Sequence, residues 1–329
     1  MLKIIKKIFV ILVVVIFFVW ILSRGHIYKK EELLYGVTFS QKQAEDLNLD
    51  WQKLFLVILE DLNVKKIRIP AYWDEIQPTE DVFDYTDLDW QIQTAGRHNA
   101  KIILTIGGRV PRWPECHFPE WTNNLTETER KAKTLAYLKQ TIERYEDQSQ
   151  IIAWQIENEP FLNQFGECPK LDPKFLDQEI ALAKSLDSRP IVITDSGELS
   201  FWIPAVKRAD IFGTTMYRDT YSRVLKSYIH YPIAPGFFRL KRNIASLFAQ
   251  PKDWIVIELQ AEPWGPVPYQ ELSAKDRART MDLQKFKDMI KFSSQTGFKE
   301  FYLWGVEYWY WEKMVNNNPG MWEYARGLF

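Results

Sequence analysis

Glu157-Asn158-Glu159-Pro160 follows an apolar run, Ile151–Ile156, and so sets two carboxylates and an amide at the end of one buried strand. A proline then breaks the strand. Such a layout suits the wall of an active site, although a charged strand-to-loop turn has the same sequence. A further carboxylate, Glu258, ends another apolar run at 254–257, and Arg68 lies near the end of a third at 64–69. Two carboxylates on facing walls can divide the work of bond cleavage. One protonates a leaving group while the other attacks.

Those residues need a frame that brings strand ends together. From residue 35 onward, strand and helix patterns alternate. Strands are expected at 35–39, 64–69, 102–106, 151–156, 191–194, 211–216, 254–257 and from 301–303. The run at 102–106 has almost no polar face, as a parallel strand covered on both sides requires. Helices are expected at 41–62, 86–98, 126–145, 173–186, 201–207, 239–248, 274–296 and 319–327. Thr126 and Glu129 have the spacing of a capping box. The segment 221–235 reads as loop. Eight strands alternating with helices in about 300 residues give one α/β domain, best fitted by a (β/α)8 barrel. A doubly wound sheet lacks its glycine-rich first turn. In a barrel the working groups sit at the C-terminal strand ends. Those ends offer Arg68, Asn158, Glu159, Tyr217, Glu258 and Trp304.

Composition narrows the chemistry. The 329 residues carry a formal charge of −1, which does not suit a nucleic-acid partner. The four histidines are not at zinc-ligand spacing, and Gly107-Gly108 is too short for a phosphate loop. No metal or cofactor is expected. Aromatic residues make up 15%, with 14 tryptophans. That is enough for flat rings that stack on sugars, though most tryptophans are expected in the core.

These pieces resemble the clan A glycoside hydrolases, the retaining (β/α)8 enzymes with glutamates on strands four and seven. The matching residues are Arg68-Ile69-Pro70, Trp154 to Pro160 with its Asn-Glu-Pro, Tyr217, Ile257-Glu258 and Trp304. The loop at 73–89, with Gln77-Pro78 and Phe83-Asp84-Tyr85, is similar as well. The resemblance implies cleavage of β-linked glycans through a covalent glycosyl-enzyme. Glu159 would be the general acid/base and Glu258 the nucleophile, about 5–5.5 Å apart. Asn158 would hold the sugar 2-hydroxyl, Arg68 and Tyr217 would hold Glu258, and Trp304 would floor the reacting subsite. An arginine beside a carboxylate keeps it ionised.

Rivals remain within each motif. Glu157 would share a strand face with Glu159. Glu262 is a second candidate nucleophile, and Trp309 could replace Trp304. Trp113, His117, Trp264 and Tyr308 lie on strand-end loops and are secondary candidates for sugar contact. Strand three ends in Ile106-Gly107-Gly108-Arg109 and strand six in Thr215-Met216-Tyr217, without the histidines of many family 5 enzymes. Trp154 to Glu159 is similar to family 42 β-galactosidases, with no second segment supporting that choice. The resemblance is therefore to the clan. An inactive glycan-binding barrel and a transglycosylase of the same mechanism are the alternatives.

Ahead of the barrel, residues 8–22 are unbroken apolar sequence behind Lys3, Lys6 and Lys7. With Ile4 and Ile5 they approach the ~20 residues of a membrane span. Ser23-Arg24-Gly25 is a poor cleavage site, so an uncleaved anchor is favoured over a signal peptide. The expected organisation is an anchor at 1–25, a tether at 26–34 and a catalytic domain at 35–329. The two cysteines, Cys116 and Cys168, follow strands three and four. Neighbouring loops can meet, so a disulfide is expected, which places the domain outside the cytoplasm. The expected partners are a β-linked oligo- or polysaccharide and, through residues 4–22, a membrane. A monomer is expected.

Overall fold

The computed structural model describes residues 6–9, 12, 13, 17, 19–21, 23–170 and 172–329. Nine of the 19 residues of the membrane segment expected at 4–22 lie outside the described residues. Among the described residues, no helix is long and apolar enough to cross a membrane.

Eight parallel strands close a barrel in chain order. They are β1 (Leu34–Thr38), β2 (Lys66–Pro70), β3 (Lys101–Ile106), β4 (Ile151–Ile156), β5 (Ile191–Asp195), β6 (Ile211–Met216), β7 (Asp253–Gln260) and β8 (Glu300–Trp304), and β8 pairs back onto β1. Inside the ring, Ile103, Ala153, Val192, Ile255, Ile257 and Tyr302 form an apolar plug. A larger core lies between the strands and the surrounding helices. Side chains alternate along a strand, so two residues further on the same inward face recurs. Ile103 is thus followed by Thr105, Ala153 by Gln155 and Val192 by Thr194. With Thr38 and Arg68, these buried polar groups are the floor of the upper barrel.

β7 breaks this alternation where it matters. Against β6, Thr214 pairs with Val256 but Thr215 pairs with Glu258. Against β8, Phe301 pairs with Val256 and Leu303 with Leu259. One extra residue therefore enters β7 around Ile257, as in a β-bulge. It lets Glu258 turn inward directly after inward-facing Ile257.

Several expected elements are divided. The helix expected at 41–62 is two, Gln41–Asp46 and Trp51–Glu60. Asn48 has φ of 54°, and the Asp50 side chain accepts the Lys53 N–H to cap the second helix. Likewise 274–296 splits into Ala274–Thr280 and Leu283–Ser293, the latter capped by Asp282. Residues 221–235 are not wholly loop, because Asp219–Ser222 and Ser227–His230 form an antiparallel hairpin. The capping box at Thr126 and Glu129 starts helix Glu127–Tyr145 as the spacing requires.

Candidate active site

Arg68 rises from β2 into the barrel, fully buried, and uses its guanidinium on three side chains. Nε donates to Gln155 Oε1 at 2.8 Å, Nη1 to Glu258 Oε1 at 2.7 Å and Nη2 to Asn158 Oδ1 at 2.6 Å. A planar fork can hold several acceptors in fixed directions at once. It therefore ties the ends of β2, β4 and β7 into one constellation. The other Glu258 oxygen, Oε2, accepts the Tyr217 hydroxyl at 2.9 Å. Burial, and next the charge of Glu258, hold that hydroxyl well above its usual titration range, so it stays a donor.

Glu159 stands in a different environment. Its backbone N–H donates to Thr194 Oγ1 at 2.8 Å, and its Oε1 accepts Thr215 Oγ1 at 3.3 Å. Burial raises its pKa well above the ordinary carboxyl value. The charges of Glu258, Glu115 and Asp195 add to the rise, while Arg109 opposes it. Two nearby carboxyl groups thus sit in contrasting surroundings, one clasped by Arg68 and a phenol, the other buried with a single hydroxyl donor. Such contrast separates a proton donor from an anion.

Glu157 does not share the face of Glu159. Both residues have left-handed backbone, φ 58° and 41°, which ends the strand alternation. The Glu157 carboxylate instead accepts the N–H groups of Gly108 at 2.8 Å and Arg109 at 2.7 Å. A Cβ on Gly107, whose φ is +133°, would come within 2.3 Å of Glu157 Oε1. The glycine pair makes room for a carboxylate clamp between the third and fourth loops. Burial raises the pKa of Glu157 and of Glu179, which faces it from helix Pro173–Leu186.

The same two loops carry a residue that sequence reasoning missed. Glu115 is buried, and its Oε2 accepts Asn158 Nδ2 at 2.8 Å. Arg109 Nε lies 3.8 Å from that oxygen. Burial lifts the Glu115 pKa to about 7, against the pull of Arg109. The adjacent cysteine forms the disulfide Cys116–Cys168, with Cα atoms 5.3 Å apart. The expected bridge was the available signal, since it draws residue 115 towards the end of β4.

Trp304 ends β8 beneath a second network. The Arg112 guanidinium lies 4.1 Å from its ring centre, so one face of the indole is already covered. Arg112 also pairs with Glu262 at 2.5 Å and Glu307 at 2.7 Å, and Trp304 Nε1 donates to Glu262 Oε1 at 2.7 Å. Glu262, the rival nucleophile, is thus held by this arginine and indole and has no bond to Arg68. Trp309 is fully buried, with Nε1 on the Ala261 carbonyl.

The secondary candidates divide. Trp264 packs edge-on to Tyr217 at 5.4 Å and touches Phe165, which in turn meets Trp113 at 6.0 Å. These rings form a path outward from Glu258, ending at Trp113, which is 45% exposed. His117 is buried against Tyr72, its Nε2 near the Arg112 carbonyl. Tyr308 is buried between Tyr269 and Trp311. Both are almost fully buried.

Comparison with known proteins agrees with this architecture. Residues 50–178, less than half of the chain, match the family model Glyco_hydro_42, beta-galactosidase. No curated protein matches the chain. Among solved structures, the polyextremophilic beta-galactosidase from the Antarctic haloarchaeon Halorubrum lacusprofundi is similar with a TM-score of 0.57 at 12% identity. That match covers 83% of this chain and 52% of the enzyme, so the chain spans about half the length of that relative. Xylanase 10B from Thermotoga petrophila RKU-1 gives 0.55 at 14% identity, covering 92% of this chain and 99% of the xylanase. A GH113 beta-1,4-mannanase gives 0.54 at 14% identity over 90% and 98%. The chain therefore has the barrel fold of the clan A glycoside hydrolases, and the likeness to family 42 extends well beyond Trp154–Glu159.

Proposed function

We propose that this chain is a retaining glycoside hydrolase that cleaves β-linked glycans by double displacement. The observation that carries the reading is the unequal treatment of two carboxyl groups. Arg68 and Tyr217 each hold one oxygen of Glu258, while buried Glu159 favours its protonated form.

Glu258 attacks the anomeric carbon as Glu159 passes its proton to the departing glycosidic oxygen. The C–O bond to the leaving group breaks and an ester to Glu258 forms. Glu159, now anionic, takes a proton from water, whose oxygen attacks the anomeric carbon and releases Glu258. Asn158 is placed by Arg68 and Glu115 so that its amide meets the 2-hydroxyl of the reacting sugar. Trp304, backed by Arg112, supplies the floor of that subsite, and Trp264 and Trp113 line the way out.

The apolar run within residues 4–22 supports a membrane anchor, and the Cys116–Cys168 bridge supports an oxidising, extracytoplasmic setting for the barrel.

A 2-fluoro glycoside that traps the intermediate tests the assignment. Peptide mass spectrometry should find the label on Glu258. A label on Glu262, or turnover of no β-glycoside by the wild-type chain, would overturn it.

A further inference from the structure

The end of the barrel opposite the catalytic mouth has an unusual surface. The segment 231–252 runs down from the mouth to this end, has not one Asp or Glu, and carries Arg239, Arg242 and Lys252 towards its foot, while Lys241 turns back onto the Gly197 and Ser200 carbonyls. Half of it is helix Pro235–Ala245, continued by a turn in which Leu247 N–H donates to the Ile244 carbonyl and Phe248 N–H to that of Ala245. Spacings of three and four residues put Ile244, Leu247 and Phe248 on one side. They are 38%, 77% and 52% exposed. Exposed lysines flank them. Lys207 lies 5.7 Å from the Phe248 ring, and Lys252 donates its N–H to the Asp210 carbonyl. Residues 207–210 precede β6 and residues 247–252 precede β7, so the patch belongs to the N-terminal rim of the barrel.

The end of the 1–25 segment meets the protein on this same helix. The Ser23 carbonyl accepts Arg239 Nε at 2.7 Å, and the Arg24 carbonyl accepts Asn243 Nδ2 at 2.9 Å. Arg239 also bonds the Gln295 carbonyl, and Arg242 the Gly297 carbonyl at 2.7 Å, both in the loop that leads into β8. The chain that follows the apolar run is therefore seated at the rim, beside the exposed Leu247 and Phe248. The mouth is at the other end. There the 219–230 hairpin sets Arg223 4.3 Å from the Trp113 ring centre.

We propose that this rim rests on an anionic lipid bilayer, with Leu247 and Phe248 inserted among the headgroups and the catalytic mouth facing away. Apolar side chains flanked by Lys207 and Lys252, without intervening acids on the segment, are what such an interface favours. The inference rests on the membrane-anchor reading and adds an orientation to it. A flexibly tethered barrel would tumble, whereas a docked one presents its cleft outward to glycan at a fixed height.

The full chain, carrying Phe248→Cys or Val224→Cys, can be reconstituted in phosphatidylcholine–phosphatidylglycerol vesicles and labelled with bimane. Both native cysteines are bonded to each other, so the label enters the new thiol. Nitroxide-headgroup lipid should quench the label at 248 by about twofold or more and leave the label at 224, on the hairpin tip, nearly unchanged. If the chain floats with the vesicles but position 248 is quenched no more than 224, the docking face is wrong and the anchor stands. If the chain does not float with them, the anchor reading falls and takes this inference with it.

Discussion

Arg68 and Glu258, 190 residues apart in sequence, meet inside the barrel as a buried ion pair of 2.7 Å. Neither is more than a few per cent exposed. Charges so placed are stable only while every partner stays in position. The pair is therefore a structural tie between β2 and β7 and, in the proposed function, also the support of the attacking carboxylate.

Replacing one member should reveal the first role. Arg68→Met leaves Glu258 buried without its cation and should destabilise the fold by about 3–5 kcal/mol. Arg68→Met combined with Glu258→Gln should cost less than the two single changes added together. Urea denaturation of the three variants measures the coupling. Additive costs would mean that the pair does not hold the strands.

Tyr217→Phe isolates the second role. It removes one donor to Glu258 Oε2 and little packing. A hydrogen bond to a charged group is worth about 1.5–3 kcal/mol, so kcat should fall roughly 10- to 100-fold. KM should hardly move if the bond matters most as charge shifts in the transition state. Steady-state kinetics on an aryl β-glycoside separates the two constants.

Much of this arrangement is legible in the sequence. Buried parallel strands such as Ile-Ile-Leu-Thr-Ile at 102–106 announce themselves, and Arg68, Glu159 and Glu258 stand out where such runs end. What hides is whatever depends on local backbone departures or on contacts between distant loops. Strict alternation would face Glu258 away from Ile257, and only the bulge in β7 turns both inward. Strict alternation also pairs Glu157 with Glu159, until left-handed φ angles send Glu157 to Gly108 and Arg109. Arg112 covers Trp304 from a loop after β3, far from β8 in sequence. Glu115 is an ordinary loop residue until the third and fourth loops close on each other. The hairpin at 219–230 lacks a glycine or asparagine in its turn, Arg223-Val224-Leu225-Lys226, so its usual signature is missing.

Glu115→Gln should reshape the pH profile. As the proposed general acid, Glu159 must be protonated to act, so activity should fall as pH rises through its pKa, which sets the basic limb. The groups that act on Glu159 are Glu258, Glu115, Asp195 and Arg109, and the first three raise its pKa. Removing the Glu115 charge lowers it, and the basic limb of kcat/KM should move to lower pH. Stability supplies a second reading. Burial raises Glu115 from 4.5 to about 7 in the folded chain. Its contribution is full below the unfolded value and is lost as pH rises through the folded one. Glutamine cannot ionise, so the variant should gain stability relative to wild type between about pH 5 and pH 8. Thermal melts at the two pH values check the sign, and a basic limb that stays put would remove Glu115 from the acid's surroundings.

The disulfide closes a loop of 52 residues in sequence. Chain-entropy reasoning gives such a link about 4 kcal/mol of stability. Cys116→Ser with Cys168→Ser should therefore lower the melting temperature clearly. The bridge also lies next to Glu115, which holds the Asn158 amide. Gly166, two residues before the sulfur-bearing loop end, packs so closely on Glu115 that a Cβ there would lie 2.8 Å from that of Glu115. Opening the bridge frees both sides of this clasp, so the amide proposed to meet the 2-hydroxyl should lose its fixed direction. A 2-deoxy glycoside lacks that hydroxyl and reports on the difference. The double variant should lose more activity on the parent glycoside than on the 2-deoxy substrate. Equal losses on both would limit the bridge to global stability.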